Sequence, residues 1–161
     1  MTRRYARAPR GERAYGSVPR NRGKNTTLLA SMSLEGMGAT MVVEGSTTQR
    51  VFEVYVERFL VPTLKPGQVV IVDNLGAHKG EKVKQLIGSK AARVIFLPAY
   101  SPDFNPIEEA FSKIKAILKK VAARACEALI EAIGRALEAL TRQDVLGWFA
   151  HCGYVDVDQP S

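Results

Sequence analysis

The sequence predicts one α/β domain, a mixed sheet flanked by helices, and three observations carry that prediction. Residues 26–32 and 39–43 are strand-like runs on either side of the turn Glu35-Gly36-Met37-Gly38, which reads as an antiparallel hairpin. The runs Val69-Val70-Ile71-Val72 and Val94-Ile95-Phe96-Leu97 are joined by a stretch of helical periodicity, so they form a crossover unit and a parallel pair. Three further segments carry apolar residues at helical spacing.

Composition bounds the function. A chain of 161 residues with a hydrophobic share of 46% buries a real core and is too apolar for disorder. The formal net charge of +7 suits a polyanionic partner. The beginning is polar and Arg-rich, without the apolar centre of a secretory signal, and no run approaches the ~20 residues of a membrane span. Cys126 and Cys152 are isolated and lack metal or redox spacing, which fits a reducing compartment. A cytoplasmic protein without a membrane partner is therefore expected.

Residues 1–24 carry seven arginines and Lys24 against the single acid Glu12, with no apolar period. They read either as a basic arm contacting phosphates, with Arg20 and Lys24 nearest the body, or as a solvated terminus. After the hairpin, Ser46-Thr47-Thr48 offers a cap for a helix with Val51, Phe52, Tyr55, Val56, Phe59 and Leu60 on one side, ended by Pro62 and Pro66-Gly67. The run 69–72 is apolar throughout and reads as a central strand buried on both faces. A helix near residues 81–87 turns Val83, Leu86 and Ile87 to the sheet. Asn105-Pro106 is a good start for the helix that follows, since Asn caps well and the missing N–H of Pro is harmless at the first position. Ile107, Phe111, Ile114, Leu118 and Val121 define its apolar face. A further helix spans about residues 126–140, with Leu129, Ile130, Ile133, Leu137 and Leu140 inward. The segment 148–154 is expected to dock on the body and 156–161 to fray.

Two carboxylates are candidates for chemistry. Asp73 follows four apolar residues at the C-terminal end of a parallel strand, where ligand sites of open α/β sheets lie; alternatively it caps the next turn. Glu108 has a capping-box alternative, Asn105-Pro106-Ile107-Glu108. On the helical wheel Glu108 lies at the flank of the apolar face beside Lys115 and Lys119, whereas Glu109 lies behind. Glu108 can thus reach the sheet edge, and the two lysines offer a phosphate contact. Paired acids can hold divalent cations. His78 reads as a capping or packing residue or as a general base. Gly76 and Gly80 lack the lysine and spacing of a phosphate loop, and His151-Cys152 lacks a second ligand pair for zinc.

Asp73-Asn74 with His78-Lys79, and the run from Leu97 through Tyr100-Ser101-Pro102 and Asn105-Pro106-Ile107 to Glu108, resemble the catalytic domain of mariner-like DDE transposases, in particular their bacterial insertion-sequence branch. Thirty-four residues separate Asp73 from Glu108, the spacing of the second and third acids there. The end, Trp148-Phe149 with Cys152-Gly153-Tyr154, is similar as well. The resemblance implies an RNase H-like fold in which three carboxylates bind two Mg²⁺ ions, activating water or a DNA 3′-hydroxyl for in-line attack on a phosphodiester. Asp73 and Glu108 are then catalytic metal ligands. The family's first Asp has no counterpart: Glu12 lies in a segment without strand pattern, and Glu35 and Glu44 sit at the turn and strand end of the hairpin. The family's helix-turn-helix domain is missing too.

The implied layout is a basic arm over 1–24 and a partial catalytic domain over 25–161, lacking its first strand. On this reading the partners are DNA (transposon ends and target), the missing N-terminal half and, as an option, a second copy of the chain, at the bacterial nucleoid. The chain alone is expected to be inactive, because a sheet missing its middle is poorly stable. A non-catalytic nucleic-acid-binding remnant and another RNase H-like nuclease are the rival readings.

Overall fold

Small and β-branched residues on either side of a two-residue turn make the first structural unit. Strand β1 (Thr26–Ser33) pairs antiparallel with β2 (Gly36–Glu44), from Thr26 opposite Glu44 to Ser33 opposite Gly36. Gly36 takes φ 135°, a conformation that favours glycine. The register shifts between Ala30 and Met32, where Ser31 stands opposite both Gly38 and Ala39, a bulge in β2. A Cβ on Gly38 would lie 2.6 Å from the Ser31 hydroxyl, which would have to move to admit it. The computed structural model describes residues 9–12, 25–78, 80–99, 101–121 and 126–154; most of the basic arm, with Arg20 and Lys24, and the terminal residues 155–161 lie outside these.

Helix α1 (Gln49–Tyr55) starts where expected, the Thr48 hydroxyl accepting the Val51 N–H at 3.3 Å. It continues through a π-helical turn, Val56–Leu60, and a 3₁₀ turn, Val61–Thr63, that contains Pro62. Phe52, Tyr55, Val56 and Leu60 are buried, and Phe59 is exposed. Strand β3 (Val69–Val72), a 3₁₀ turn (Gly76–His78), helix α2 (Glu81–Gly88) and strand β4 (Arg93–Phe96) form the expected crossover, with β3 parallel to β4.

The two pairs do not join into one sheet. Among the described residues β1 pairs with β2 and β3 with β4, giving a mixed α/β fold with two small sheets. Nor is β3 buried on both faces as its sequence suggested. Val70, Val72 and Val94 pack inward, but Val69 and Ile71 are 41% and 36% exposed. The reason is positional: β3 has a strand neighbour on one edge and a covered face on one side.

Helices α3 (Pro106–Val121), α4 (Cys126–Glu138) and α5 (Arg142–His151) complete the fold. The buried stripe of α3 is Ala110, Ile114 and Leu118, with Ile107 and Phe111 half-buried and Val121 exposed. In α4, Ala132, Ile133 and Ala136 are inside and Ile130, expected inside, faces out. Two cores result. One gathers Phe52, Tyr55, Val56, Leu60, Val83 and Ile87; the other gathers Ile114, Leu118, Ala132, Ile133 and Ala136. The hairpin lies between them, sending Leu29, Ala39 and Met41 into the first and Leu28 and Val42 into the second.

Candidate active site

The β3–β4 ladder closes with the Leu97 N–H on the Val72 carbonyl at 2.8 Å, and the chain turns at the next residue, Asp73. The Asp73 Oδ1 accepts the Leu75 N–H at 3.3 Å, which makes the capping turn that the sequence allowed. The same oxygen meets Nδ1 of His78. A carboxylate only accepts, so Nδ1 carries the proton. The imidazole is stacked on Phe52, ring centroids 3.9 Å apart. Turn and imidazole thus use Oδ1, while Oδ2 has no partner among the described residues. The capping and functional readings of Asp73 are compatible.

Beyond β4, Pro98 ends the strand, a 3₁₀ turn (Pro102–Phe104) follows, and α3 opens at Pro106, as Asn105-Pro106 suggested. The backbone N–H of Glu108 bonds the Asn105 carbonyl at 3.0 Å. Its side chain is exposed and makes no capping bond among the described residues. A carboxylate in this first turn is favoured by the helix dipole. Asp73 and Glu108 line one cavity of about 550 Å³. Glu109 instead points to α5, its Oε1 3.4 Å from Nδ1 of His151. That separation of the two glutamates agrees with the wheel.

Lys115 and Lys119 are exposed along α3. Lys113 is occupied, its Nζ donating to Asp144 Oδ2 at 2.6 Å. The C-terminal segment docks as expected: the Tyr154 hydroxyl donates to the Phe104 carbonyl at 2.7 Å, tying the tail to the proline-rich loop. Of the remaining acids, Glu35 also lines the cavity, but the Ser33 hydroxyl holds its carboxyl below the usual range. Burial, then Glu109 and Asp103, push the Cys152 thiol up, away from nucleophile chemistry. Among the described residues no three His, Cys, Asp or Glu side chains come together to hold a metal. The role that sequence reasoning missed is that of His78 as the clamp on Asp73. The signal was the five-residue spacing, which is off the three-to-four-residue period of a helix face and suits a turn.

A family model described as "DDE superfamily endonuclease" matches residues 1–130. The chain belongs to that superfamily. No curated protein matches it. Among solved structures, this DDE chain resembles a pre-cleavage Mos1 transpososome with a TM-score of 0.75 at 16% identity, over 93% of its own length and 48% of the other's. The Mos1 strand transfer complex gives 0.73 at 17%, over 93% and 46%. The catalytic domain of Mos1 mariner transposase gives 0.68 at 15%, over 80% and 69%. The superfamily chain therefore shares the transposase catalytic fold and spans about half the length of the longer Mos1 chains. No helix among the described residues is long and apolar enough to cross a membrane.

Proposed function

We infer that this chain is the catalytic part of a DNA transposase, acting on an insertion sequence in the bacterial cytoplasm, and that Asp73 and Glu108 are two of its three metal-binding acids. The observation that carries the reading is that the structure brings these two residues, from β3 and α3, to the walls of one cavity. The similar Mos1 structures include a strand transfer complex, a paired-end complex with a left transposon end and a paired-end complex with Mn, which supports DNA ends as substrate and a divalent metal as cofactor.

The donor set suits Mg²⁺ in kind, since carboxylate oxygens are its preferred ligands. Two acids without a third fit the group in part, which supports reading the chain as an incomplete catalytic unit. A divalent ion supplies charge stabilisation at the attacking and leaving oxygens of a phosphodiester. The chain's own residues do the positioning. His78 and the Leu75 N–H fix one oxygen of Asp73 and leave the other for a ligand. Lys115 and Lys119 run along α3 on the flank of Glu108 and would take phosphates of the bound strand, and the basic residues Arg20 and Lys24 are the other candidate phosphate contacts.

The test is cleavage of terminal-repeat DNA with Mg²⁺. The 161-residue chain alone is expected to be inactive, and supplying the missing N-terminal half, in trans or fused, to restore cutting and joining. Activity of the chain alone overturns the incompleteness; an inert complete protein with Asp73 and Glu108 intact overturns the assignment. The lack of a three-acid cluster among the described residues favours one rival, a DNA-binding remnant without chemistry. It predicts salt-sensitive DNA binding indifferent to Asp73→Ala. A nuclease that cuts but never joins is the other alternative, told apart by the products.

A further inference from the structure

Apolar side chains scattered singly over a surface need no explanation. Two of those here are not scattered. Leu75 and Phe104, 58% and 52% exposed, are the most exposed large apolar residues among those described. Each stands on the turn that carries one of the two candidate acids, Leu75 two residues after Asp73 and Phe104 four before Glu108. Both are mounted rigidly. The Leu75 N–H donates to Asp73 Oδ1 at 3.3 Å, and its carbonyl accepts the His78 N–H at 2.9 Å. The Phe104 N–H donates to the Ser101 carbonyl at 3.3 Å, and its carbonyl accepts the Tyr154 hydroxyl at 2.7 Å. Each backbone is thus bonded on both sides while half or more of the side chain stays in water. Packing within the chain does not account for either.

We propose that Leu75 and Phe104 are a base-holding pair, and that their ligand is the unpaired nucleobase on either side of a phosphodiester drawn to Asp73 and Glu108. Phe and Leu are among the side chains that proteins insert between base steps to unstack them. An aromatic face takes any base, because every base has a π face, and does so without reading its identity. The charges beside Phe104 favour a base over a phosphate. Asp103 is exposed next to it and repels a nucleic-acid backbone, whose phosphates have Lys115 and Lys119 further along α3. Leu75 has the uncharged neighbours Asn74 and Gly76, so its turn too offers a ligand apolar surface rather than charge. The net charge of +7 favours a polyanion over an ordinary protein as the molecule that brings these bases. A side chain already fixed at its backbone loses little freedom when a base lies on it. That the bases flank the phosphate to be cut rests on the proposed transposase function; the holding of unpaired bases does not.

The experiment uses the full 161-residue chain, without metal, and a mixed-sequence single-stranded oligonucleotide carrying 5-iodouracil in place of thymine. Irradiation couples this base to an aromatic ring stacked on it, and the cross-link is expected at Phe104. Phe104→Ala should bind the strand at least ~5-fold more weakly, and Phe104→Tyr about as tightly as the parent. Leu75→Ala should show a smaller loss in the same direction. Melting temperatures should stay near the parental value, since both side chains face water. Both losses should be equal at every salt concentration, because an apolar contact releases no counterions, whereas Lys115→Ala should flatten the salt slope. Cross-links confined to other residues, alanine variants that bind as the parent does, or losses that vary with salt overturn the pair. So does a parent chain that binds no single strand. Unchanged DNA affinity with lost self-association overturns it in favour of a protein partner, a second copy of the chain. Cleavage of terminal-repeat DNA with an N-terminal half supplied keeps the two readings apart. Bases held at Phe104 without any cleavage leave the pair standing and fell the transposase reading; cleavage at the parental rate by both alanine variants, with parental affinity, does the reverse.

Discussion

His78 donates through Nδ1 to the Asp73 carboxylate while its ring is stacked on the buried Phe52. The acid at the end of β3 is therefore held by a side chain anchored in the core, through a turn of five residues. Groups that orient a metal ligand are worth ~10–100-fold in affinity or activity when removed. On the proposed transposase reading, with an N-terminal half supplied, His78→Ala is expected to weaken Mn²⁺ binding by that order. His78→Asn, which keeps a donor, should recover part of it. Equal metal affinity in all three proteins would remove His78 from the site.

The two adjacent glutamates give a second test. Glu108→Gln and Asp73→Asn are expected to abolish DNA cleavage by the complemented enzyme, with melting temperatures little changed because both side chains are at least partly exposed. Glu109→Gln breaks an exposed contact with His151, and such pairs contribute ~0–1 kcal/mol. It should cut at close to the parental rate. A Glu109 variant that fails where a Glu108 variant survives would reverse the assignment.

Asp144 provides a pH signature. The hydrogen bond from Lys113, then those from the Thr141 backbone and hydroxyl, lower its pKa to about 2. A depressed folded pKa contributes stability that is present above the ordinary carboxylate range and lost as pH falls through about 2. Thermal unfolding of the parent should therefore exceed that of Asp144→Asn near neutrality and converge with it in acid. Asp144 also closes the capping box of α5 as its third residue, its carboxylate accepting the Thr141 N–H at 2.9 Å. A pH-independent gap between the two proteins would sink this account.

Tyr55 acts at the other end of the pH scale. Burial raises its pKa to about 12, and its hydroxyl donates to the Ala39 carbonyl at 2.9 Å. A raised folded pKa means stability that is intact below the unfolded value near ~10 and lost as pH rises toward 12. Tyr55→Phe should be less stable by ~1 kcal/mol at neutral pH. It should also lack the steep alkaline loss, measured by denaturant unfolding between those limits.

Lys115 and Lys119 are expected to contact phosphates, so their effect should be electrostatic. Each alanine substitution should reduce the slope of log affinity against log salt by ~1, without changing sequence preference. Unchanged slopes in both would take DNA off this face of α3.

Much of this was legible in the chain. The hairpin, the β3–α2–β4 crossover and the start of α3 at Asn105-Pro106 follow from local signals: turn glycines, β-branched runs and a cap. The wheel of α3 separated Glu108 from Glu109 because one turn of helix fixes direction. What was not legible depends on neighbours far along the chain. The apolar run of β3 says that a strand forms, not that Val69 and Ile71 will be covered. The stacking of His78 on Phe52 joins residues 26 positions apart, which no spacing rule announces. Helix α5 is different, since Thr141 and Asp144 form a capping box that could have been read from their spacing.

The arrangement of the two cores has a consequence for reactivity. Asp73 hangs from the core around Phe52 and Val83, and Glu108 stands on a helix rooted in the core around Ile114 and Leu118. The hairpin links these bodies, through Met41 on one face and Val42 on the other. The gap between the acids is therefore gauged by the stiffness of a hairpin that carries neither of them. Softening it by a methyl or two would put the carboxylates out of step while the chain stayed folded, so turnover should fail at a lower temperature than the fold.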